Sequence, residues 1–262
     1  VYDKLRNDTV MVFNGDVLSG MDLEGILTTH HNKGADVTMH LLNVADPRAF
    51  GCVPTDSEGR VTAFLEKTED PPTNQINAGC YVFDRSVIES IPAGRVVSVE
   101  RETFPGLLAD ARLVVGHVDN SYWRDMGRPD DFTRGSSDLV RGIAPSPLLE
   151  GRTGESLVES SAGIAGGVLL LSGTAVGRGS EVGAGSRLEG TVVFDGVRIE
   201  PGAIIHNSII ASGAHIGANA VIENCVIGEG AHVGARCELV DGMRVFPGVT
   251  IPDAGIRFSS DA

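Results

Sequence analysis

Two aspartates follow apolar runs that read as strands: Asp16 in Asn14-Gly15-Asp16, and Asp125 in Tyr122-Trp123-Arg124-Asp125-Met126-Gly127. Open α/β sheets bind ligands beyond such strand ends. Two carboxylates there could share one Mg²⁺, a hard cation that takes oxygen ligands and commonly one or two carboxylates plus substrate phosphates. Taken singly, each aspartate reads more simply as a turn or capping residue. Phe64-Leu65-Glu66-Lys67 closes another strand with adjacent opposite charges, and Asn77-Ala78-Gly79 opens the next. The carboxylate accepts from hydroxyls, the ammonium faces a phosphate and the amide does either, a set suited to a phosphorylated sugar. An ordinary solvated ion pair at Glu66 and Lys67 is the competing reading.

The seven histidines offer less. His30 and His31 are sequential, hence on different helix faces, and are expected at the surface, whereas His215 and His232 should stack. The cysteines, Cys52, Cys80, Cys225 and Cys237, have no C-x-x-C spacing, so neither a zinc ribbon nor a disulfide framework is indicated, and reduced, cytoplasmic thiols are the simplest reading.

The elements that must position these residues alternate in type, as in an α/β domain. Val10 to Phe13 reads as a buried parallel strand. Asp22 caps a helix that stops at Lys33-Gly34, and Val37 to Val44 is the next strand. Gly51 to Pro54 and Val61 to Leu65 form a hairpin across Asp56 to Gly59. Ala78 to Phe83 and Leu113 to Val118 are further strands, and Val99 to Leu108 is a short helix interrupted by Pro105. Pro129, followed by two acids, opens a helix toward Val140. Ile143 to Pro147 reads as a linker.

The 262 residues suit one large domain or two ordinary ones. No apolar run reaches the length of a membrane span, and the first residues do not resemble a secretory signal. Lys plus Arg number 21 against 35 for Asp plus Glu, which argues against a sequence-independent grip on nucleic acid. Of 34 glycines, 21 lie beyond Glu150, so the chain changes character there.

Beyond Leu157 large apolar residues recur every sixth position: Val158, Ile164, Leu170, Val176, Val182, Leu188 and Phe194. The series continues at Ile199, Ile205, Ile210, Ile216, Ile222, Ile227, Val233, Leu239, Val245 and Ile251, with five-residue steps into Ile199, Ile210 and Ile227, and is read as coils of seventeen residues. A three-sided β-solenoid requires that period, with small residues such as Gly183-Ala184-Gly185 turning its corners.

Taken together, N-G-D at 14 to 16, F-G at 50 to 51, E-G-R-V-T-x-F-L-E-K at 58 to 67, N-x-I-N-A-G-x-Y-V-F-D at 74 to 84, S-V-E-R-E-x-F-P at 98 to 105 and W-x-D-M-G-x-P-x-D-F at 123 to 132 resemble the nucleotide-sugar pyrophosphorylase family. The narrower resemblance is to its bacterial guanylyltransferases of mannose 1-phosphate that carry hexapeptide repeats. It implies a partial doubly wound α/β nucleotidyltransferase sheet followed by a left-handed parallel β-helix. It also implies joining of a sugar 1-phosphate to an NTP, with release of pyrophosphate and GDP-mannose as product. By motif, Asp16 and Asp125 would hold Mg²⁺, Lys67 would face the sugar phosphate, Glu66 and Asn77 would contact hydroxyls, and Gly51 and Gly79 would line the pocket. A glucose 1-phosphate enzyme of the same family is the alternative.

Two departures stand out. Thr68 replaces the proline usual after Glu-Lys. The G-x-G-T-R-x-x-P loop that cradles the triphosphate is absent from this sequence, so the chain is expected to be a fragment inactive alone. An acyltransferase with a histidine base, and a regulatory or assembly subunit, are the rival functions. The expected organisation is residues 1–143 for the nucleotidyltransferase part, 144–156 linker, 157–251 β-helix and 252–262 tail. The flat solenoid sides make a homo-oligomer the expected assembly.

Overall fold

The computed structural model describes residues 5–66 and 68–257, and of Glu66 only the backbone. The chain divides between Trp123 and Arg124 into two compact units.

The first unit is built on a mixed sheet of strands β1 (Thr9–Phe13), β3 (Val37–Asn43), β4 (Gly51–Cys52), β5 (Leu65–Glu66), β6 (Gln75–Asp84) and β7 (Val114–Val118). The order is β5-β4-β6-β3-β7, with β1 also on β6. Helix α1 (Leu23–Lys33) puts Ile26 against Val82 and Cys80 on one face of the sheet. Helices α2 (Arg85–Ser90) and α3 (Phe104–Ala109) put Val87, Phe104 and Leu107 against Val37, Met39 and Phe83 on the other. Local chemistry sets the ends of α1. Asp22 accepts from Glu24 N at 3.0 Å, and Gly34 takes the left-handed conformation, φ 59°. A π-helical turn, Val99–Thr103, runs directly into α3 with Pro105 in its first turn, so the interrupted helix expected over Val99 to Leu108 is two segments that meet just before Pro105.

Two sequence expectations fail here. β1 is neither parallel nor buried: it runs antiparallel to β6, with Val12 and Phe13 exposed. Direction is set by the partner strand, and the parallel pair in this sheet is β3 with β7. His30 is not on the surface. It is buried beneath α1, with Nδ1 3.0 Å from Thr38 Oγ1, because that face of the helix packs on β3; His31 is exposed.

Fully buried His40 donates from Nε2 to Asp119 O at 3.1 Å, and its Nδ1 has no partner among the described residues. Burial holds both His30 and His40 below the ordinary histidine value, with His31 and His117 acting in the same direction, while Asp36 and Asp84 near His30, and Asp119 near His40, oppose it. The folded form therefore resists protons that the unfolded chain accepts near pH 6.5. Stability falls as pH drops below 6.5, by up to about 1.4 kcal/mol per unit for each histidine kept neutral. Thermal melting followed by the fluorescence of Trp123, the sole tryptophan, should show a lower midpoint at pH 5.5 than at 7; an unchanged midpoint contradicts the assignment.

In the second unit, α4 (Pro129–Val140) packs on the start of a solenoid, with Ser137 Oγ donating to Ser172 O at 2.7 Å and Phe132 stacked on Phe194. Three parallel sheets of six, five and six strands are described. Their inward residues stack into one core in which Leu188, Ile199, Ile205, Ile210, Ile216, Ile222 and Ile227 are fully buried. The repeat is thus present, with two corrections. The inward residue on the third side is Val193, and Phe194 turns outward, 40% exposed, where α4 covers it. Central coils have seventeen residues, but Val158 pairs with Val176 and Ile227 with Val245, so the end coils have eighteen. His215 and His232 do stack, with ring centroids 4.5 Å apart. Corners admit no side chain where coils touch: a Cβ on Gly183 would lie 2.5 Å from Pro201 N. No helix among the described residues is long and apolar enough to cross a membrane.

Candidate active site

β6 takes β3 along one edge and two successive strands along the other. Cys52 of β4 pairs with Ile76, and β1 pairs from Cys80 to Asp84. Between these pairings, Asn77, Ala78 and Gly79 form an interval with no paired strand partner on that edge among the described residues. The interval is irregular on its other side too, because Met39 pairs with Tyr81 and Leu41 with Asn77, so three residues of β6 oppose His40 alone. Such a bulge re-aims side chains at the end of a sheet.

Several candidate residues gather at this interval. Gly51 pairs with Glu66, and the next residue, Cys52, pairs with Ile76. Gly51, Glu66 and Asn77 therefore lie on three adjacent strands, within about 10 Å by strand spacing. From the other side Asn14 N donates to Gly79 O at 2.7 Å, so the N-G-D segment ends over the N-A-G segment. Gly79 is required there. Its φ is +76°, and a Cβ would stand 2.8 Å from Asn14 Nδ2. Gly79→Ala should cost about 1–3 kcal/mol, read as a fall in the Trp123 melting midpoint; an unchanged midpoint would mean that Asn14 and the strand relax freely. Trp123 braces the same interval, its Nε1 donating to Ala78 O at 2.9 Å and its ring meeting Phe50 edge-on at 5.7 Å.

Asn77 is more committed than its sequence reading implied. Its Nδ2 donates to Tyr81 Oη at 2.7 Å and to Glu100 Oε1 at 2.8 Å, and its Oδ1 accepts from Gly79 N at 3.2 Å. Tyr81 and Glu100 were not singled out from sequence. Tyr81 was detectable as a polar-tipped side chain four residues along the same strand, whereas Glu100 comes from the S-V-E-R-E segment and meets Asn77 only through the fold. Burial pushes the Tyr81 phenol well above its ordinary value, so it stays neutral. The neighbouring Cys80 thiol is pushed up to about 11 by burial, which leaves it protonated and without nucleophilic character.

Asp16 lies in the turn between β1 and β2 (Val17–Ser19), exposed, with no hydrogen-bond partner for its carboxylate among the described residues. Asp125 ends strand β8 (Trp123–Asp125), exposed, and its Oδ1 accepts from Gly127 N at 2.9 Å. Beside it Arg124 reaches Asp138 at 3.0 Å and Asp131 at 3.7 Å. Each aspartate thus keeps hard oxygen atoms available to a cation. Among the described residues no group of three or more His, Cys, Asp or Glu could hold a metal by itself, so water and substrate oxygens would complete any Mg²⁺ shell. Lys67 and the Glu66 side chain lie outside the described residues.

Residues 2–142 match the family described as Nucleotidyl transferase, and residues 152–256 match the GMPPB C-terminal domain. The whole chain is 66% identical to a mannose-1-phosphate guanylyltransferase of Mycobacterium tuberculosis and covers 73% of that protein. Mannose-1-phosphate guanylyltransferase 1 of Arabidopsis thaliana is 36% identical over 71% of this chain and 54% of its own length. A mannose-1-phosphate guanylyltransferase catalytic subunit beta of Drosophila pseudoobscura is 32% identical over 60% of this chain and 43% of its own.

Proposed function

The chain belongs to the nucleotidyl transferase family, and from that premise we propose that it serves synthesis of GDP-mannose from mannose 1-phosphate and GTP. The reading is supported most by the unpaired interval of β6, where Gly51, Glu66, Asn77 and Gly79 meet beneath the N-G-D turn. In the reaction an oxygen of the sugar phosphate attacks the α-phosphorus of the nucleotide. One P–O bond forms, the bond to the β-phosphate oxygen breaks, and pyrophosphate leaves. All reacting groups are anionic, so rate depends on alignment and charge neutralisation rather than on a covalent intermediate. Lys67 would supply the cation at the sugar phosphate. Glu66 and Asn77 would orient the hydroxyls, and the backbone at Gly51 and Gly79 lets the sugar approach closely. Asp16 and Asp125 would ligate Mg²⁺, which when bound offsets phosphate charge. The four free, buried cysteines fit a reducing, cytoplasmic setting, and the solenoid sides would mediate homo-oligomer contacts.

Calorimetric titration of this chain with mannose 1-phosphate tests the pocket. Saturable binding is expected, with mannose alone or inorganic phosphate alone at least about tenfold weaker, since each lacks half of the recognised groups. Equal affinity for all three, or no binding, contradicts the reading.

A further inference from the structure

We propose that Glu100 is a substrate-contacting, specificity-determining residue of the sugar pocket: Asn77 fixes its Oε1, and its Oε2 accepts hydrogen bonds from sugar hydroxyls. The proposal rests on the sugar 1-phosphate reading and deepens it. A carboxylate can accept about four hydrogen bonds, yet among the described residues Glu100 receives one, from Asn77 Nδ2 at 2.8 Å. Glu102 on the same turn has both oxygens engaged by contrast, Oε2 accepting from Arg95 Nη1 at 2.8 Å and Oε1 from Ser98 N at 3.1 Å. Glu100 is half-buried and has no described cation in ion-pair range. A half-buried carboxylate with one donor is costly unless others arrive from solvent or ligand.

Asn77 is the strut, and its amide capacity is nearly exhausted. Both Nδ2 hydrogens are used, by Tyr81 and Glu100, and Oδ1 is met by Gly79 N. The residue that still has acceptor capacity toward an incoming hydroxyl is therefore Glu100. Its platform is stiff: Tyr81, Phe83, Phe64 and Phe104 pack ring on ring, with centroids 5.1 to 6.1 Å apart, and Phe104 follows the turn that carries Glu100. Charge fixes which end of the substrate it serves. A carboxylate repels a phosphate and accepts from hydroxyls, so Glu100 belongs at the polyol end. Sites built to hydrogen-bond a hydroxyl reject the analogue that lacks it far more strongly than apolar pockets discriminate by size.

The test is calorimetric titration of the full chain and of Glu100→Gln, Glu100→Ala and Glu102→Gln with mannose 1-phosphate and its monodeoxy analogues. Gln at 100 keeps the acceptor for Asn77 but offers a donor in place of Oε2. The expected result is at least about tenfold weaker binding for both Glu100 variants, an unchanged melting midpoint for Glu100→Gln, and binding within twofold for Glu102→Gln. For one monodeoxy analogue the parent and Glu100→Gln should bind alike, because the hydroxyl they differ over is gone. If Glu100→Gln binds mannose 1-phosphate as the parent does while Glu100→Ala is impaired, Glu100 is structural support alone and the proposal falls with the sugar reading intact. If the parent does not bind mannose 1-phosphate, the sugar reading falls and this proposal with it.

Discussion

Ile216→Asp should dismantle the solenoid. Ile216 is fully buried in the middle of the stacked core, with Ile199 below it and Val233 above in register. The substitution removes about 1.5–3 kcal/mol of apolar burial and places a carboxylate among aliphatic side chains with no donor beside it. The combined loss, at least about 4 kcal/mol, falls in the range reserved for buried unpaired charges. Neighbouring His232, one coil up and outward, gives the control: His232→Ala should change stability by no more than about 0.5 kcal/mol. Far-ultraviolet circular dichroism during heating reads both. Intact β signal and an unchanged midpoint for Ile216→Asp would overturn the inward register.

Asp125→Asn and Asp16→Asn should each lower turnover roughly a hundredfold or more in a longer, turning-over protein that contains this chain. Asn is close in shape and removes only the charge, and both aspartates are exposed, so folding should be unaffected. If both aspartates serve one ion, the double variant loses little beyond either single one, since groups acting as a unit are not additive. Independent, multiplying losses would separate the two roles, and near-normal rates in both single variants would remove Mg²⁺ ligation from either aspartate.

The solenoid was legible because its information is local and repeated. Each coil must place one large residue inward per side, so Val182, Ile199, Ile216 and Val233 declare themselves at a fixed interval. What was missed there, the outward Phe194 and the eighteen-residue end coils, depends on where one extra residue is accommodated, and both Val193 and Phe194 are apolar enough to fill the core position. In the sheet, capping chemistry at Asp22 and Gly34 located α1 to the residue. The direction of β1 was hidden because its partner β6 lies more than sixty residues away in sequence. His30 was misplaced for a related reason: adjacency to His31 says that the two face differently, not which one meets β3. Glu100 was invisible as a partner of Asn77 because only the packing of the turn at Val99–Thr103 over β6 brings them together.

The most direct measurement for the central claim is pyrophosphate release with Mg²⁺ by a longer protein that contains all of this chain, given mannose 1-phosphate and each common nucleoside triphosphate in turn. The account predicts release that requires both substrates, is fastest with GTP, and is slower when glucose 1-phosphate replaces mannose 1-phosphate. No release with any pair, under conditions where the mycobacterial relative turns over, would contradict it.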